Sequence, residues 1–509
     1  MSKKYITTPI YYINDVPHIG HAYTTIAADV LARYYKSKGD DVFFLTGTDE
    51  HGAKIAEAAK KAGKEPKEFV DDLLPRFQEA WKKLNINYSA YIRTTDPEHE
   101  KIVQELVSRL AEKGYVEKRK YEGLYCVGCE KYLAPGDLVD GKCPDHKTEP
   151  VKQSEENYFF KLSEFQSQLI DLIESNKLIV EPASRKNEIL GKLKQGLEDV
   201  SISRAGVSWG IPFPGDPSQT IYVWVDALLN YYSATKIFKM FSPDSPLPPH
   251  LTSLQAGEER SGMGGTEWES HPADLHLMAK DILWFHSVIW PAMLLALELP
   301  LPKKVFAHGF FTVGGQKMSK TIGNVLDPNK LVDKYGTDAI RYAVLREFPF
   351  GEDGDISEEK IANRYEKDLG NELGNLLQRV ISMINKYEIT PNRRKSYFLS
   401  DEGEIEEADE VPAAELIYDD HIKNLQFETA LQSVWKLVRE TNVLIDEKKP
   451  WELAKNDGEL ELDRVLNLAY WRLGTIATLL EPFMPETAEK MKKQLETLRP
   501  EVMFPRIDK

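Results

Sequence analysis

Two tetrapeptides hold the side chains best suited to gripping a polyphosphate: His18-Ile19-Gly20-His21 and Lys317-Met318-Ser319-Lys320. Histidines at i and i+3 share one face of a helix start, where free backbone N–H groups and the positive end of the helix dipole already attract phosphate. Gly20 has no side chain, so a flat ring such as adenine can lie against the backbone there. The lysine pair sits in the glycine-bracketed run Gly314 to Asn324. Such a loop can swing two point charges, with the Ser319 hydroxyl between them, onto a polyphosphate. Together the two strings supply cationic and hydrogen-bonding groups for a nucleoside triphosphate.

All three cysteines lie between Cys126 and Cys143. Cys126-Val127-Gly128-Cys129 followed by Cys143-Pro144-Asp145-His146 offers three thiolates and one imidazole, a closed tetrahedral set that suits one structural Zn²⁺. A disulfide framework is the weaker account, because it needs an even count and an oxidising compartment. With no open coordination position, the metal is expected to hold structure rather than do chemistry.

These groups need elements to position them. The run Lys4 to Ile10 is β-branched and aromatic and breaks at Asn14-Asp15-Val16-Pro17 into a helix expected over His21 to Lys36. A second apolar run, Asp41 to Thr46, ends in Gly47-Thr48-Asp49-Glu50-His51-Gly52 and leads into a helix over Ala53 to Lys61. Strand, turn, helix, strand, helix predicts an α/β fold, a doubly wound parallel sheet of Rossmann-like type with ligands at the carboxyl ends of its strands. Helices are expected around Lys67 to Leu84 and Glu98 to Lys113, and the cysteine-bearing stretch then reads as an insertion. Strands at Ile221 to Val225 and Lys304 to Ala307 resume the sheet. Ser242 to His271, rich in Pro, Gly, Ser and Glu, reads as a surface excursion. From Glu359 the pattern is helical, apart from the polar stretch Pro391 to Glu410. The expected division is 1–115 and 216–325 for the halves of the sheet domain, 116–215 for a connective domain with the zinc knuckle, 326–365 for a linker and 366–509 for an all-α domain.

Composition bounds the partners. A chain of 509 residues can bury several cores, and 42% hydrophobic with 29% charged residues is ordinary for a globular protein. The net charge of −16 argues against coating nucleic acid by bulk positive charge, so an RNA partner must be held by local patches. The opening Met1-Ser2-Lys3-Lys4-Tyr5-Ile6 runs straight into a strand pattern, with neither an apolar signal region nor a transit stretch. The richest apolar piece, Ile282 to Leu299, contains His286, Pro291 and Glu298 and reads as a buried helix rather than a membrane span. These features favour the cytoplasm.

The histidine and lysine tetrapeptides, in this order, resemble the signatures of class I aminoacyl-tRNA synthetases. Four further strings narrow the resemblance to the methionyl-tRNA synthetase family: Thr8 to Asn14, Gly47 to Gly52, Tyr222 to Ala227 and Lys280 to His286. The stretch from Leu133 to Trp224 is too short for the large hydrolytic domain of the leucyl, isoleucyl and valyl relatives. The resemblance implies activation of L-methionine with ATP, with Mg²⁺ accompanying the nucleotide, and transfer to tRNA bearing a CAU anticodon. It places His18, Gly20, His21, Lys317, Ser319 and Lys320 on ATP, with the two histidines and two lysines catalytic. The implied methionine pocket is Ile10 and Tyr12 from the first strand end, Asp49 on the substrate ammonium, Trp224, Ala227 and Tyr231 from a middle strand, and Ile282, His286 and Trp290 on one helix face. A thioether suits such aromatic walls. Arg204, in Ser201-Ile202-Ser203-Arg204, matches a position near the active site.

In the helical region the resemblance assigns anticodon reading to Asn375, Arg379, Asn442, Pro450 and Trp451, consistent with bases being read by stacking and by hydrogen bonds to their edges. Thr321 stands where many relatives have Ser, and Leu228 where some have Pro. The chain stops at Lys509 without the appended barrel some relatives use to dimerise, so a monomer is expected. Two other readings remain open: another class I synthetase, such as the cysteinyl enzyme, and a catalytically silent tRNA-binding paralogue.

Overall fold

The computed structural model describes residues 2–507 apart from 127–130, 134–135, 137, 145–146, 239, 242–266, 319–324, 392–395, 400–404, 409–412 and 457. Side chains at 121–122, 131–132, 153–155, 317, 396–399, 406–408 and 413–416 also lie outside the description. The expected roles of Cys129, His146, Ser319 and Lys320, the Lys317 side chain and most of the Ser242 to His271 excursion therefore fall outside the described residues. Contacts divide the chain into two units: Met1–Val16 with Asp41–Gln78 and Asn87–Ala307, and Pro17–Asp40 with Glu79–Ile86 and His308–Lys509.

The first unit is built on a six-stranded sheet in the order Ala90–Arg93, Asp41–Asp49, Lys3–Tyr12, Leu275–Ala279, Lys304–His308, Ile179–Glu181. Lys3–Tyr12 runs parallel to both neighbours, as Asp41–Asp49 does to Ala90–Arg93 and Lys304–His308 to Ile179–Glu181. Asp41–Asp49 is buried along nearly its whole length, as a strand covered on both faces must be. Gly47 is required there: a Cβ would stand 2.1 Å from the Ile92 carbonyl oxygen. The Ala53–Lys61 helix begins and ends where the sequence pattern places it.

Two expectations fail in this unit. Ile221 to Val225 is not a strand of the parallel sheet. Asp216–Ile221 pairs antiparallel with Ser203–Arg204 and Pro212–Phe213, and Val223–Ile237 is a helix. Tyr222-Val223-Trp224-Val225 has strand-like propensity, but the helix is buried almost all round, so neither periodicity nor propensity marks it. The resuming strand is Leu275–Ala279, and Ile179–Glu181, from inside the expected connective insertion, forms an edge of the same sheet. In addition, Glu267–Ser270, read as part of an excursion, is helical and plants Trp268 fully in the core. Ahead of these, Val116–Cys126, Lys131–Leu133, Val151–Phe160 and Val200–Ser201 form a four-stranded antiparallel sheet.

In the second unit the Ile19–Ser37 helix packs with the Thr337–Arg346 helix, and the carboxyl-terminal helices Asn375–Lys386, Phe427–Lys448, Glu459–Leu480 and Pro485–Thr497 pack on one another. A fully buried Arg341 ties the parts together. Its Nη2 lies 2.7 Å from Asp29 Oδ2, and it donates to the carbonyls of Leu84, Pro482 and Phe483. Burying a guanidinium is tolerable only when its donors are met in this way. The expected helical run from Glu359 is broken by an antiparallel pair, Ser396–Leu399 with Ile405–Ala408, within the polar stretch. Among the described residues no helix is long and apolar enough to cross a membrane.

Candidate active site

In the second unit His18 is the N-cap of the Ile19–Ser37 helix. Its Nδ1 accepts from the Gly20 N–H at 3.1 Å, while His21 Nδ1 accepts from the His18 N–H at 3.3 Å. Both rings therefore carry their proton on Nε2. They stack with centroids 3.8 Å apart. Burial pushes His18 down to about 4, and burial together with His18 pushes His21 well below its ordinary value. The pair is neutral at physiological pH, and the first turn of the helix holds no acid to oppose an anion. The His18 ring lies close against Gly20. A Cβ there would stand 2.9 Å from the His18 ring and 3.7 Å from the Met318 methyl, so the glycine seats the histidine and brings the lysine-loop segment alongside.

In the first unit the expected methionine residues come from two adjacent strands, one helix and the helical segment that runs from Lys280 to Ala296. Tyr12 is registered opposite Asp49, and Ile10 opposite Gly47, at the carboxyl ends of adjacent parallel strands. Trp224, Ala227 and Tyr231 lie on a helix rather than a strand, and their i, i+3, i+7 spacing puts them on one face. Ile282, His286 and Trp290 span a 3₁₀ turn, a π turn and the start of a helix instead of one regular helix.

Hydrogen bonds lock these side chains in order. His286 Nδ1 donates to the Ile282 carbonyl at 2.9 Å, which leaves Nε2 to accept from the Tyr231 hydroxyl at 2.7 Å. Burial lowers His286 to about 4 and keeps it neutral. Trp290 is fully buried and donates to His276 Nε2 at 3.2 Å, and His276 Nδ1 meets Thr7 Oγ1 at 2.7 Å. Trp290 thus backs the site. Trp224 stacks on Phe285 at 3.9 Å, a wall the sequence reading did not include.

Sequence reasoning also missed a buried polar chain beside Asp49. Asp226 Oδ2 accepts from His51 Nδ1 and Oδ1 from His99 Nε2, each at 2.7 Å, and His99 Nδ1 meets Ser233 Oγ at 2.6 Å. Burial opposes charge on His51, but Asp226, Glu100 and Asp49 outweigh it and raise its pKa to about 10. Trp209 clamps the same turn: its Nε1 donates to the Glu50 carbonyl, and its own carbonyl accepts from Gly52. Arg204 lies over the Tyr222 ring at 3.9 Å and lines a small pocket with His51, Trp209 and Tyr125. The available signal was an Asp inside an otherwise apolar helix.

The chain as a whole matches one group of proteins. The family described as tRNA synthetases class I (M) matches residues 4–150 and 133–381. A methionine–tRNA ligase of Caldanaerobacter subterraneus subsp. tengcongensis is 45% identical over 99% of this chain and 79% of its own length, and that of Thermotoga maritima 42% over 97% and 75%. The chain belongs to the class I methionine–tRNA ligase family. The Mycobacterium tuberculosis methionyl-tRNA synthetase in complex with methionyl-adenylate superposes with a TM-score of 0.82 at 34% identity, covering 99% of each chain.

The residues that the family resemblance assigns to the anticodon gather in the second unit. Asn375 is exposed at the start of the Asn375–Lys386 helix, and Arg379 on the same helix donates to Asp446 at 2.8 Å. Asn442 Nδ2 reaches the Glu372 carbonyl at 3.4 Å. Lys449 turns the chain through a left-handed conformation, φ 43°, after which Pro450 is buried and Trp451 is 37% exposed. An exposed Trp is unusual in a folded protein. Of the cysteine set, Cys126 and Cys143 are both buried and share a small apolar cluster with Leu133 and Leu138. Among the described residues no group of three or more His, Cys, Asp or Glu is placed to hold a metal.

Proposed function

We propose that the chain activates L-methionine with ATP to methionyl-adenylate and pyrophosphate, then passes the methionyl group to the 3′-terminal ribose of tRNA with a CAU anticodon. The observation that carries this reading is the neutral His18–His21 pair on an acid-free helix N-terminus, with the Met318 segment against Gly20. In the first step the methionine carboxylate attacks the α-phosphorus. A carboxylate–phosphorus bond forms as the bond to the bridging oxygen breaks, and pyrophosphate leaves. No protein nucleophile is needed, so catalysis is positioning and charge stabilisation. His18 and His21 offer Nε2–H donors to the phosphate oxygens, and Lys317 and Lys320 take the charge that grows on pyrophosphate. Mg²⁺ arrives with ATP and neutralises phosphate charge.

Asp49 receives the substrate ammonium, a pairing that suits a nearly buried carboxylate. Tyr12, Ile10, Trp224, Ala227, Tyr231, Ile282 and His286 surround the thioether, and the tautomer fixed on His286 keeps the Tyr231 hydroxyl turned inward. Arg204 serves the approach to the site. Asn375, Arg379, Asn442, Pro450 and Trp451 read the anticodon, with Trp451 as the stacking platform. The joint burial of Cys126 and Cys143 fits a structural Zn²⁺ completed by Cys129 and His146, which would staple the insertion. The cytoplasm is the compartment in which these substrates meet.

The test is ATP–pyrophosphate exchange with each of the twenty amino acids, followed by charging of tRNA. Exchange with methionine alone supports the proposal. Exchange with cysteine or leucine and none with methionine overturns it.

A further inference from the structure

The lysine hairpin is held by an acidic segment that the mechanism does not use. Phe311–Val313 pairs antiparallel with Gln316–Lys317 and parallel with Gly354–Asp355, so a three-stranded sheet fixes the backbone of Lys317 opposite Thr312. Gly314 and Gly315 make the connecting turn with φ of 60° and 75°. The Asp355 carboxylate reaches across to that turn. Its Oδ1 accepts from the Gly315 N–H at 2.8 Å and from the Thr312 hydroxyl at 3.1 Å, while Oδ2 stands 3.4 Å from Lys360 Nζ.

The rest of the segment 352–356 is pressed equally close. Gly354 N–H donates to the Phe310 carbonyl and Ile356 N–H to the Thr312 carbonyl, and Asp353 Oδ1 accepts from Phe310 N–H at 2.8 Å. A Cβ on Gly309 would stand 2.2 Å from the Glu352 backbone, and one on Gly354 2.1 Å from the Phe348 ring, so both contacts exist only because these positions are glycine.

Electrostatically this is the wrong sign. A loop that must attract a polyphosphate gains no attraction from Glu352, Asp353 and Asp355 beside its stem, even with Lys360 3.4 Å from Asp355. The Gly315 N–H first, then Thr312 and Lys360, hold the Asp355 carboxyl below its usual range, so it is ionised and accepting at working pH. A carboxylate kept where its charge is unfavourable is there for its geometry.

We infer that Asp355 is a positioning residue for ATP activation: by bridging Gly315 and Thr312 it sets the angle at which the hairpin presents its lysines to the nucleotide. This rests on the reading that Lys317 and Lys320 serve pyrophosphate. A lysine aimed wrongly by a fraction of its reach loses transition-state contact while leaving the amino-acid site untouched.

The experiment measures single-turnover methionyl-adenylate formation, methionine affinity and melting temperature for the full chain and three variants. Asp355→Ala should slow adenylation by about tenfold or more, with methionine affinity and melting temperature as in the parent. Asp355→Asn, which keeps an Oδ1 acceptor and removes the charge, should stay within about twofold of the parent. Asp355→Glu, whose longer arm misplaces the acceptor, should resemble Ala. Should Asp355→Ala fail to fold, the contrast between Asn and Glu decides the matter alone. Adenylation at the parent rate in Ala or Glu overturns the inference, as does a loss in Asn equal to that in Glu. A parent chain without methionine-dependent exchange would instead defeat the functional proposal.

Discussion

His18 and His21 in one unit and His51 in the other are the same side chain put to opposite uses. Each of the first two accepts a backbone N–H at Nδ1 and lies against the other ring, and withdrawal from water wins, so they stay neutral. His51 is enclosed too, yet Asp226 lies 2.7 Å from its Nδ1 and Glu100 3.6 Å from its Nε2, and the imidazole holds its proton. Burial sets the cost of charge, and the partner decides whether that cost is met. A neutral donor can follow charge as it develops on a phosphate, whereas a fixed imidazolium serves as a brace. Here it braces the turn that carries Asp49.

The sharpest way to break this contrast is to remove the brace. Asp226→Asn leaves two imidazoles without their anion and should cost roughly 3–5 kcal/mol of stability in chemical denaturation. Parent-like unfolding would show that His51 is not held as an ion. Next in size, His21→Ala should slow adenylate formation by about a hundredfold, about 3 kcal/mol, with methionine affinity unchanged in equilibrium binding. Unaltered single-turnover kinetics would take the neutral pair out of the chemistry. A residue outside both histidine sites sharpens the comparison: Trp451→Ala should lower tRNA charging about tenfold while exchange continues, because one base stack is worth ~1–3 kcal/mol. Equal loss in both assays would contradict an anticodon role.

A further test is the pH profile of melting. His51, at about 10 when folded against an ordinary 6.5, contributes stability that is whole below about pH 6.5 and is lost as pH rises through 10. His18, at about 4, does the reverse: its contribution is whole above 6.5 and drains away as pH falls toward 4, and His286 and His308 titrate with it. Melting temperature should therefore decline at both ends, and the alkaline decline should be much reduced in Asp226→Asn. An unchanged alkaline limb in that variant would assign it to other groups.

Local chemistry was legible in the sequence, and long-range company was not. The Ala53–Lys61 helix, the strand from Lys3 and the capped start at His18 are written in neighbouring residues, through turn formers and periodicity. Val223–Ile237 was misread because an element buried on every side has no polar stripe to set its period. Trp224, Ala227 and Tyr231 remained good candidates because residue type survives an error of secondary structure. The partnership of His51, His99 and Asp226 joins three separate elements, and Asp355 meets Gly315 across forty residues. No window on the chain contains either.

The guanidinium of Arg341 has a consequence for the order in which the protein matures. The helix that begins at His18 is synthesised early, but Asp29 on it is matched by a side chain from residue 341, and that side chain is itself completed by carbonyls of Pro482 and Phe483. A nascent chain that has emerged only as far as the lysine hairpin has both signature peptides, and Asp29 then has Arg33 of its own helix but not yet Arg341. The buried tie between the helix that begins at His18 and the carboxyl-terminal helices thus closes only after residue 483 has been made.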